Sequence, residues 1–123
     1  MTQGRGEIDQ KEPIDVIELT TRCMNDPAFV RELLEIFRNQ AEQHLANLKA
    51  AIRSGNASET VKVAHRMSGS AGNVTAHQLD SLCAALESSA KQSLAGAEEA
   101  ARGIEAELNR CIAFFPEIHA KLK

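Results

Sequence analysis

Apolar residues recur every three or four positions along most of this chain, and this spacing constrains the fold more than any other feature of the sequence. The longest run lies between Pro27 and Ser54 and continues through about seven helical turns. Its members are Val30, Leu33, Leu34, Phe37, Ala41, Leu45, Leu48 and Ile52. Residues spaced in this way share one face of an α-helix, so the segment is predicted to be a long helix with one buried side.

Helix-breaking residues mark where this long helix begins and ends. Asp26 is predicted to be its N-cap, and Pro27 suits the first turn because no helical partner exists there for an amide hydrogen. Gly55 is placed for a left-handed C-cap. A short helix that ends at Met24 is predicted to precede it. Its apolar positions are Ile14, Ile17 and Leu19.

Three more helical patterns follow, at about residues 57–74, 76–94 and 97–114. Ser58 with Thr60 is expected to open the first of them, and Pro116 to kink or end the last. No stretch alternates polar and apolar residues as a strand does. Because the connections are short, successive long helices are expected to lie antiparallel. The predicted fold is therefore all-α, an up-down-up-down antiparallel four-helix bundle with a short extra N-terminal helix.

The length of 123 residues, with 43% hydrophobic and 25% charged residues, fits one compact domain. Residues 1–12 are polar and lack apolar periodicity, so they are predicted to be a flexible N-terminal tail, and residues 13–123 to form the domain. The three cysteines are widely spaced, which suits reduced, buried thiols better than a disulfide framework.

Charge and hydropathy exclude several classes of partner. The formal net charge of −3 gives no reason to expect binding to nucleic acid or to an anionic membrane. No apolar run approaches a membrane span, and the first residues lack the apolar core of a signal peptide. The chain is therefore expected to be a cytoplasmic monomer.

The third helical pattern contains two glycines that break a helix rule. Gly69 and Gly72 lie well inside it, where each costs about 1 kcal/mol relative to alanine. Together with Ser68 they lie on the same helix face as His65, one and two turns further along. Two interpretations follow from this spacing. Either the histidine packs beside glycines that allow close helix packing, or it is an accessible nucleophile beside a helix surface without side chains, which leaves room for a large partner.

The sequence around His65 resembles the signature of the histidine phosphotransfer (HPt) family. The resemblance is strongest over residues 64–87, in the run AHRMSGSAGNVTA and the Leu79, Leu82-Cys83 and Leu86-Glu87 positions that follow it. The family fold is a four-helix bundle with a short N-terminal helix. In such proteins a histidine carries a phosphoryl group between the aspartates of receiver domains.

The resemblance implies a role for individual residues of this chain. His65 matches the histidine that accepts the phosphoryl group on its outer ring nitrogen. Gly69 matches the glycine that lets the loops of the receiver approach the imidazole, and Ser70 matches the small polar residue after it. Glu87 matches the Glu or Gln of the next helix that hydrogen-bonds the other ring nitrogen.

Two positions depart from the family pattern. Ser68 replaces the usual lysine three residues after the histidine, and Thr75 replaces the usual glycine before Ala76. The lysine would place a cation near the transferred phosphoryl group, whose equatorial oxygens develop charge. Lys62 or Arg66 is expected to substitute in part, unless the lysine and Mg²⁺ of the receiver suffice. Thr75 puts only the local turn geometry in doubt.

The resemblance implies a phosphorelay carrier rather than an enzyme, with receiver domains of response regulators and hybrid histidine kinases as partners. The chain lacks a nucleotide-binding loop, since the glycines after Ser68 follow no strand. No cofactor or metal is expected in this chain, and Mg²⁺ is expected in the partner receiver. An alternative remains open, a non-catalytic helical adaptor that binds receivers without phosphotransfer, with Ser68 as its mark.

The other candidate residues are weaker. No pair among His44, His77 and His119 has metal-ligand spacing, and a metal or haem bundle would need inward Glu-x-x-His sets that the sequence lacks. The acidic residues of the last long helix are interpreted as a solvated face. They are Glu98, Glu99, Glu105 and Glu107.

Overall fold

Six helices make up most of residues 12–122, the part of the chain that the computed structural model describes. They are α1 (Val16–Arg22), α2 (Pro27–Arg53), α3 (Ala57–Asn73), α4 (His77–Ala90), α5 (Ala97–Ala113) and α6 (Phe115–Lys121). No strand occurs among these residues, so the all-α prediction is confirmed for them. The predicted flexible tail falls almost entirely on residues 1–11, which lie outside the described part.

The predicted boundaries of α2 are confirmed. The carboxylate of Asp26 accepts hydrogen bonds from the backbone N–H groups of Ala28 and Phe29, and Pro27 occupies the first turn. Gly55 follows the helix with a φ of 73°, in the left-handed region that glycine adopts without a steric penalty.

The start of α3 differs from the prediction. Asn56 is the N-cap, with its side-chain oxygen accepting from the N–H of Glu59. Ser58 therefore lies inside the first turn, and the hydroxyl of Thr60 donates to the carbonyl of Asn56. Asparagine competes well for the cap position because its side-chain oxygen reaches the unpaired amides of the first turn.

Two other boundaries were predicted wrongly. The first helix ends at Arg22 because Met24 and Asn25 adopt left-handed φ values of 57° and 58°, which stop a right-handed helix. Ile17, predicted as one of its apolar positions, is 80% exposed. The fourth helix ends at Ala90 rather than near residue 94.

Local hydrogen bonds explain the early end of α4. The hydroxyl of Ser93 accepts from the N–H of Ala95, which gives the backbone an alternative to helical bonding, and Gly96 turns the chain with a φ of 79°. At the other end of α5, the helix stops at Ala113 and a new helix begins with Pro116 in its first turn. The predicted break at this proline is confirmed.

The four long helices pack in a ring of neighbours: α2 contacts α3 and α5, and α4 contacts α3 and α5. The short helices α1 and α6 pack against α2. Their apolar stripes form one core, whose largest fully buried members include Leu34, Leu48, Leu79, Ile104 and Leu108. The three cysteines are free thiols buried in this core, as predicted. None of the described helices is long and apolar enough to cross a membrane.

Thr75 ties the start of α1 to the turn between α3 and α4. The N–H of Asp15 donates to the carbonyl of Thr75 over 3.1 Å, and the Thr75 hydroxyl lies 2.8 Å from the carbonyl of Asp15. Thr75 is fully buried and has a φ of 57°, a conformation that costs a β-branched residue strain. Glycine would adopt this turn freely and keep the backbone bond, so the hydrogen bond from the hydroxyl to Asp15 gives a reason for the threonine.

Candidate functional site

His65 projects from α3 on the side away from the core. The buried residues of this helix, Thr60, Val63, Ala64, Met67 and Ala71, all lie on the opposite face. The side chain of His65 is 74% exposed. The imidazole is therefore accessible to another protein rather than packed inside the bundle.

Glu87 of α4 fixes the orientation of the ring. Nδ1 of His65 lies 3.1 Å and 3.2 Å from the two carboxylate oxygens of Glu87, whose side chain is only 21% exposed. An ionised carboxylate accepts but does not donate, so this hydrogen bond requires the proton on Nδ1. In the neutral ring Nε2 then carries the free lone pair, and this nitrogen is available as a nucleophile.

The helix surface beside His65 carries no side chain at Gly69 and is not covered there by other described residues. A Cβ atom placed on Gly69 would meet nothing within 4 Å, so packing within residues 12–122 does not require glycine there. At Gly72 a Cβ would come 3.4 Å from Oδ2 of Asp80, a tight contact that a small shift would relieve. Of the two interpretations of these glycines, close internal packing does not account for Gly69.

Ser68, at the position where the family has lysine, is engaged with α4. Its hydroxyl donates a short hydrogen bond to Oδ1 of Asp80, and both residues are half-buried. The next serine, Ser70, is also half-buried, and its hydroxyl makes no hydrogen bond within the described residues. Sequence reasoning missed Asp80, because nothing local marks a residue that acts through a neighbouring helix.

Lys62 and Arg66 are the cations on the other side of His65. Both are exposed, and neither forms an ion pair or a hydrogen bond within residues 12–122. They are four residues apart and so share a helix face. On α2, burial lowers the pKa of His44, and the positive charge of Arg66 lowers it further.

His77 lies in a cluster that links α1 to α4. Its Nε2 is 2.7 Å from Oε1 of Glu18, and Asp15 completes a group whose ligand atoms lie within 4.8 Å of one another. Such a set could hold a divalent cation, yet Asp15 already caps α1 and Glu18 also binds Arg22 at 2.7 Å. The hydrogen bond from His77, and then the charge of Arg22, lower the pKa of Glu18. Because 59 residues separate Glu18 from His77, sequence spacing could not predict this contact.

Two further polar residues, Glu107 and His119, lie on α5 and α6. Glu107 does not belong to a solvated face: it is 7% exposed, and burial raises the pKa of its carboxyl group. Its Oε2 is buried without a hydrogen-bond partner, while Oε1 lies 3.5 Å from Arg110. The rings of His119 and Phe115 pack in a T-shaped arrangement, with centroids 6.5 Å apart. Neither residue lies on α3 or α4, the helices that carry His65 and Glu87.

Over residues 12–122 the structure defines a class of helical domain that presents an accessible imidazole on its surface, with a carboxylate on one ring nitrogen and no side chain at Gly69 beside the ring. A comparison with protein families matches residues 32–114 to the family described as Hpt domain. The chain therefore belongs to the Hpt family. Members of this family are phosphotransfer modules of two-component signalling, which carry phosphate rather than catalyse reactions. They interact with receiver and kinase proteins. The matched segment contains His65, Gly69 and Glu87. Comparisons with curated proteins and with solved structures returned no match.

Proposed function

We propose that this chain is a phosphorelay intermediate that receives a phosphoryl group on Nε2 of His65 from a receiver aspartate and passes it to another receiver. The single observation that carries this proposal is the orientation of His65. With Nδ1–H held by Glu87, the free lone pair of Nε2 belongs to an exposed ring beside the open surface at Gly69.

In the forward step the Nε2 lone pair attacks phosphorus and forms the N–P bond. The bond from phosphorus to the aspartate oxygen breaks, and its electron pair leaves as the receiver carboxylate. The Nδ1 proton stays between the ring and Glu87, where the carboxylate stabilises the positive charge that the ring develops. The return step to a second receiver reverses these bonds. Mg²⁺ and a lysine of the receiver neutralise the equatorial oxygens, with Lys62 and Arg66 as supporting cations.

The proposed docking face surrounds His65 and is formed by α2 and α3, with parts of α1 and α4. Exposed apolar side chains on α1, on α2 and in the turn between them support this placement, since a contact surface needs apolar area to bury. They are Ile17, Met24, Phe29 and Ile36. We also propose that the four long helices run up-down-up-down, that the protein acts as a monomer in the cytoplasm, and that hybrid histidine kinases and response regulators are its partners.

The second candidate function is an adaptor that binds receivers without accepting phosphate. The environment of Ser68 favours it. Serine replaces the lysine that the family pattern places beside the phosphoryl group, and its hydroxyl is bonded to Asp80 rather than free to bind phosphate.

One experiment separates the two functions. The protein is incubated with Mg²⁺ and purified receiver domains phosphorylated by acetyl phosphate, and acid-labile, base-stable phosphate on the chain is measured. We expect the wild type and the control His119→Gln to be labelled, and His65→Gln to be folded but unlabelled. Labelling of His65→Gln at the wild-type rate would refute the site. Receiver binding without any label on the wild type would establish the adaptor.

A further inference from the structure

The charges around His65 are separated by sign. On the α4 side, Asp80 and Glu87 are seven residues apart and therefore share one face of the helix, about 10 Å apart along its axis. Helix α4 contains no lysine or arginine between His77 and Ala90. By helical periodicity Lys62 and Arg66 lie on the other side of His65 from Ser68, whose hydroxyl is bonded to α4. A docking partner therefore meets the carboxylates of Asp80 and Glu87 on one side of the imidazole and the cations of α3 on the other, with Arg22 of α1 further along at the carbonyl of Gly72.

Asp80 is held in place without being neutralised. Its Oδ1 accepts from the hydroxyl of Ser68. Its Oδ2 lies beside Gly72, which has no side chain to contact it. It forms no ion pair within residues 12–122. The carboxylate is thus oriented along the same face of α3 as His65 while its charge remains available to a partner.

We propose that Asp80 is a specificity-determining residue, which selects receiver domains that present a lysine or arginine to the α4 side of His65. This inference rests on the proposed phosphotransfer function. A lysine at position 68 would neutralise Asp80 from within the chain, whereas Ser68 leaves the counter-charge to the partner. Charges at the edge of an interface act mainly through electrostatic steering, so they change the association rate and its dependence on salt.

The competing explanation is that the contact between Ser68 and Asp80 only ties α3 to α4. Two variants distinguish them. Asp80→Asn removes the charge but keeps an oxygen that can accept from Ser68, whereas Ser68→Ala removes the hydrogen bond but keeps the charge. The matched control is Glu98→Gln, which neutralises an exposed carboxylate on α5, away from the site.

The measurement is the second-order rate constant of phosphotransfer from a panel of receiver domains phosphorylated by acetyl phosphate, at low and at high salt. For the receivers that transfer fastest, we expect Asp80→Asn to lower this constant about five-fold at low salt and to flatten its salt dependence. The rate at saturating receiver should not change. Ser68→Ala should have a smaller effect, and Glu98→Gln none.

The outcomes separate this inference from the function on which it rests. If no receiver labels the wild type, the proposed function itself fails. If receivers label the wild type but Asp80→Asn leaves the rate constants and salt slopes unchanged for all of them, Asp80 does not select partners. If Ser68→Ala lowers thermal stability while Asp80→Asn, which keeps an acceptor for Ser68, does not, and neither variant changes the salt slope, the contact is only a structural link between the helices.

Discussion

Nδ1 of His65 lies 3.1 Å from Oε2 of Glu87, and the two residues belong to different helices. The tautomer of the candidate nucleophile therefore depends on how α3 packs against α4, the most extensively contacting pair of helices among residues 12–122. A rotation of either helix would move the carboxylate away from the ring. The packing of the bundle thus determines the orientation of the imidazole ring and leaves Nε2 as the nitrogen without a hydrogen bond to Glu87.

The first prediction concerns Glu87. Glu87→Ala should lower the phosphotransfer rate about five-fold, because a hydrogen bond to a charged group at this half-exposed site is worth about 1 kcal/mol. Glu87→Gln should retain most of the activity, since the amide oxygen still accepts from Nδ1–H. Nitrogen-15 NMR of the imidazole reports the tautomer directly. A wild-type ring protonated on Nε2 would contradict the assignment.

The second prediction uses two glycines as a matched pair. Gly69 in α3 and Gly103 in α5 both lie inside helices, and a Cβ on either would meet nothing within 4 Å. Leucine at either position should raise the free energy of unfolding by about 0.5 to 1 kcal/mol, because it favours the helix over glycine. Only Gly69→Leu should slow phosphotransfer, since it fills the ground beside His65. Denaturant unfolding and transfer rates test both variants, and equal activity would show that the open surface is not used.

The third prediction concerns the cations near the phosphoryl group. Lys62→Ala or Arg66→Ala should shorten the lifetime of phospho-His65 by up to about five-fold, because a nearby positive charge at an exposed site is worth roughly 1 kcal/mol. Ser68→Lys adds a cation, but its ammonium group would lie within reach of Asp80. Its stabilising effect should therefore appear more clearly in the double variant with Asp80→Asn. The lifetimes are measured without receiver, and no change in any variant would assign all charge stabilisation to the receiver.

The fourth prediction concerns the strained turn at Thr75. Thr75→Gly and Thr75→Ala both remove the hydroxyl that bonds to Asp15, but only glycine relieves the left-handed φ of 57°. Thr75→Gly should therefore be the more stable of the two by about 1 kcal/mol, although it buries less apolar surface. Urea unfolding of the two variants decides this order. The reverse order would mean that the turn carries no significant strain.

The fifth prediction concerns pH. Burial raises the pKa of Glu107 above the ordinary value of 4.5, so folding favours its protonated form. This contribution to stability is present below about pH 4.5 and is lost as the pH rises through the raised value in the folded protein. Glu107→Met should flatten the dependence over that range and raise stability at pH 7 by about 1 kcal/mol, since it also removes a buried oxygen without a partner. Thermal unfolding at several pH values provides the test, and Glu98→Gln is the exposed control.

Much of the fold follows from local patterns in the sequence. The apolar spacing predicts the long helices, Asp26 and Gly55 predict the ends of α2, and Pro116 predicts the break before α6. Each of these signals acts within one or two turns of the backbone, where the sequence alone determines which groups meet. The early end of α4 could not be predicted in this way, because it depends on the competing hydrogen bond at Ser93 rather than on a proline or glycine.

The sequence by itself determined that His65 would share a helix face with Gly69 and Gly72, since helical periodicity places residues three, four and seven apart together. Only the tertiary structure decided which groups of other helices face one another. It brings Glu87 to His65 and Asp80 to Ser68, places His77 against Glu18, and buries Glu107, which the sequence pattern had assigned to solvent. The physical reason is that contacts between helices depend on the rotation and offset of each helix in the bundle. The rotation and offset of each helix are determined by the packing of the whole core. The sequence of a single segment is therefore not enough to specify them.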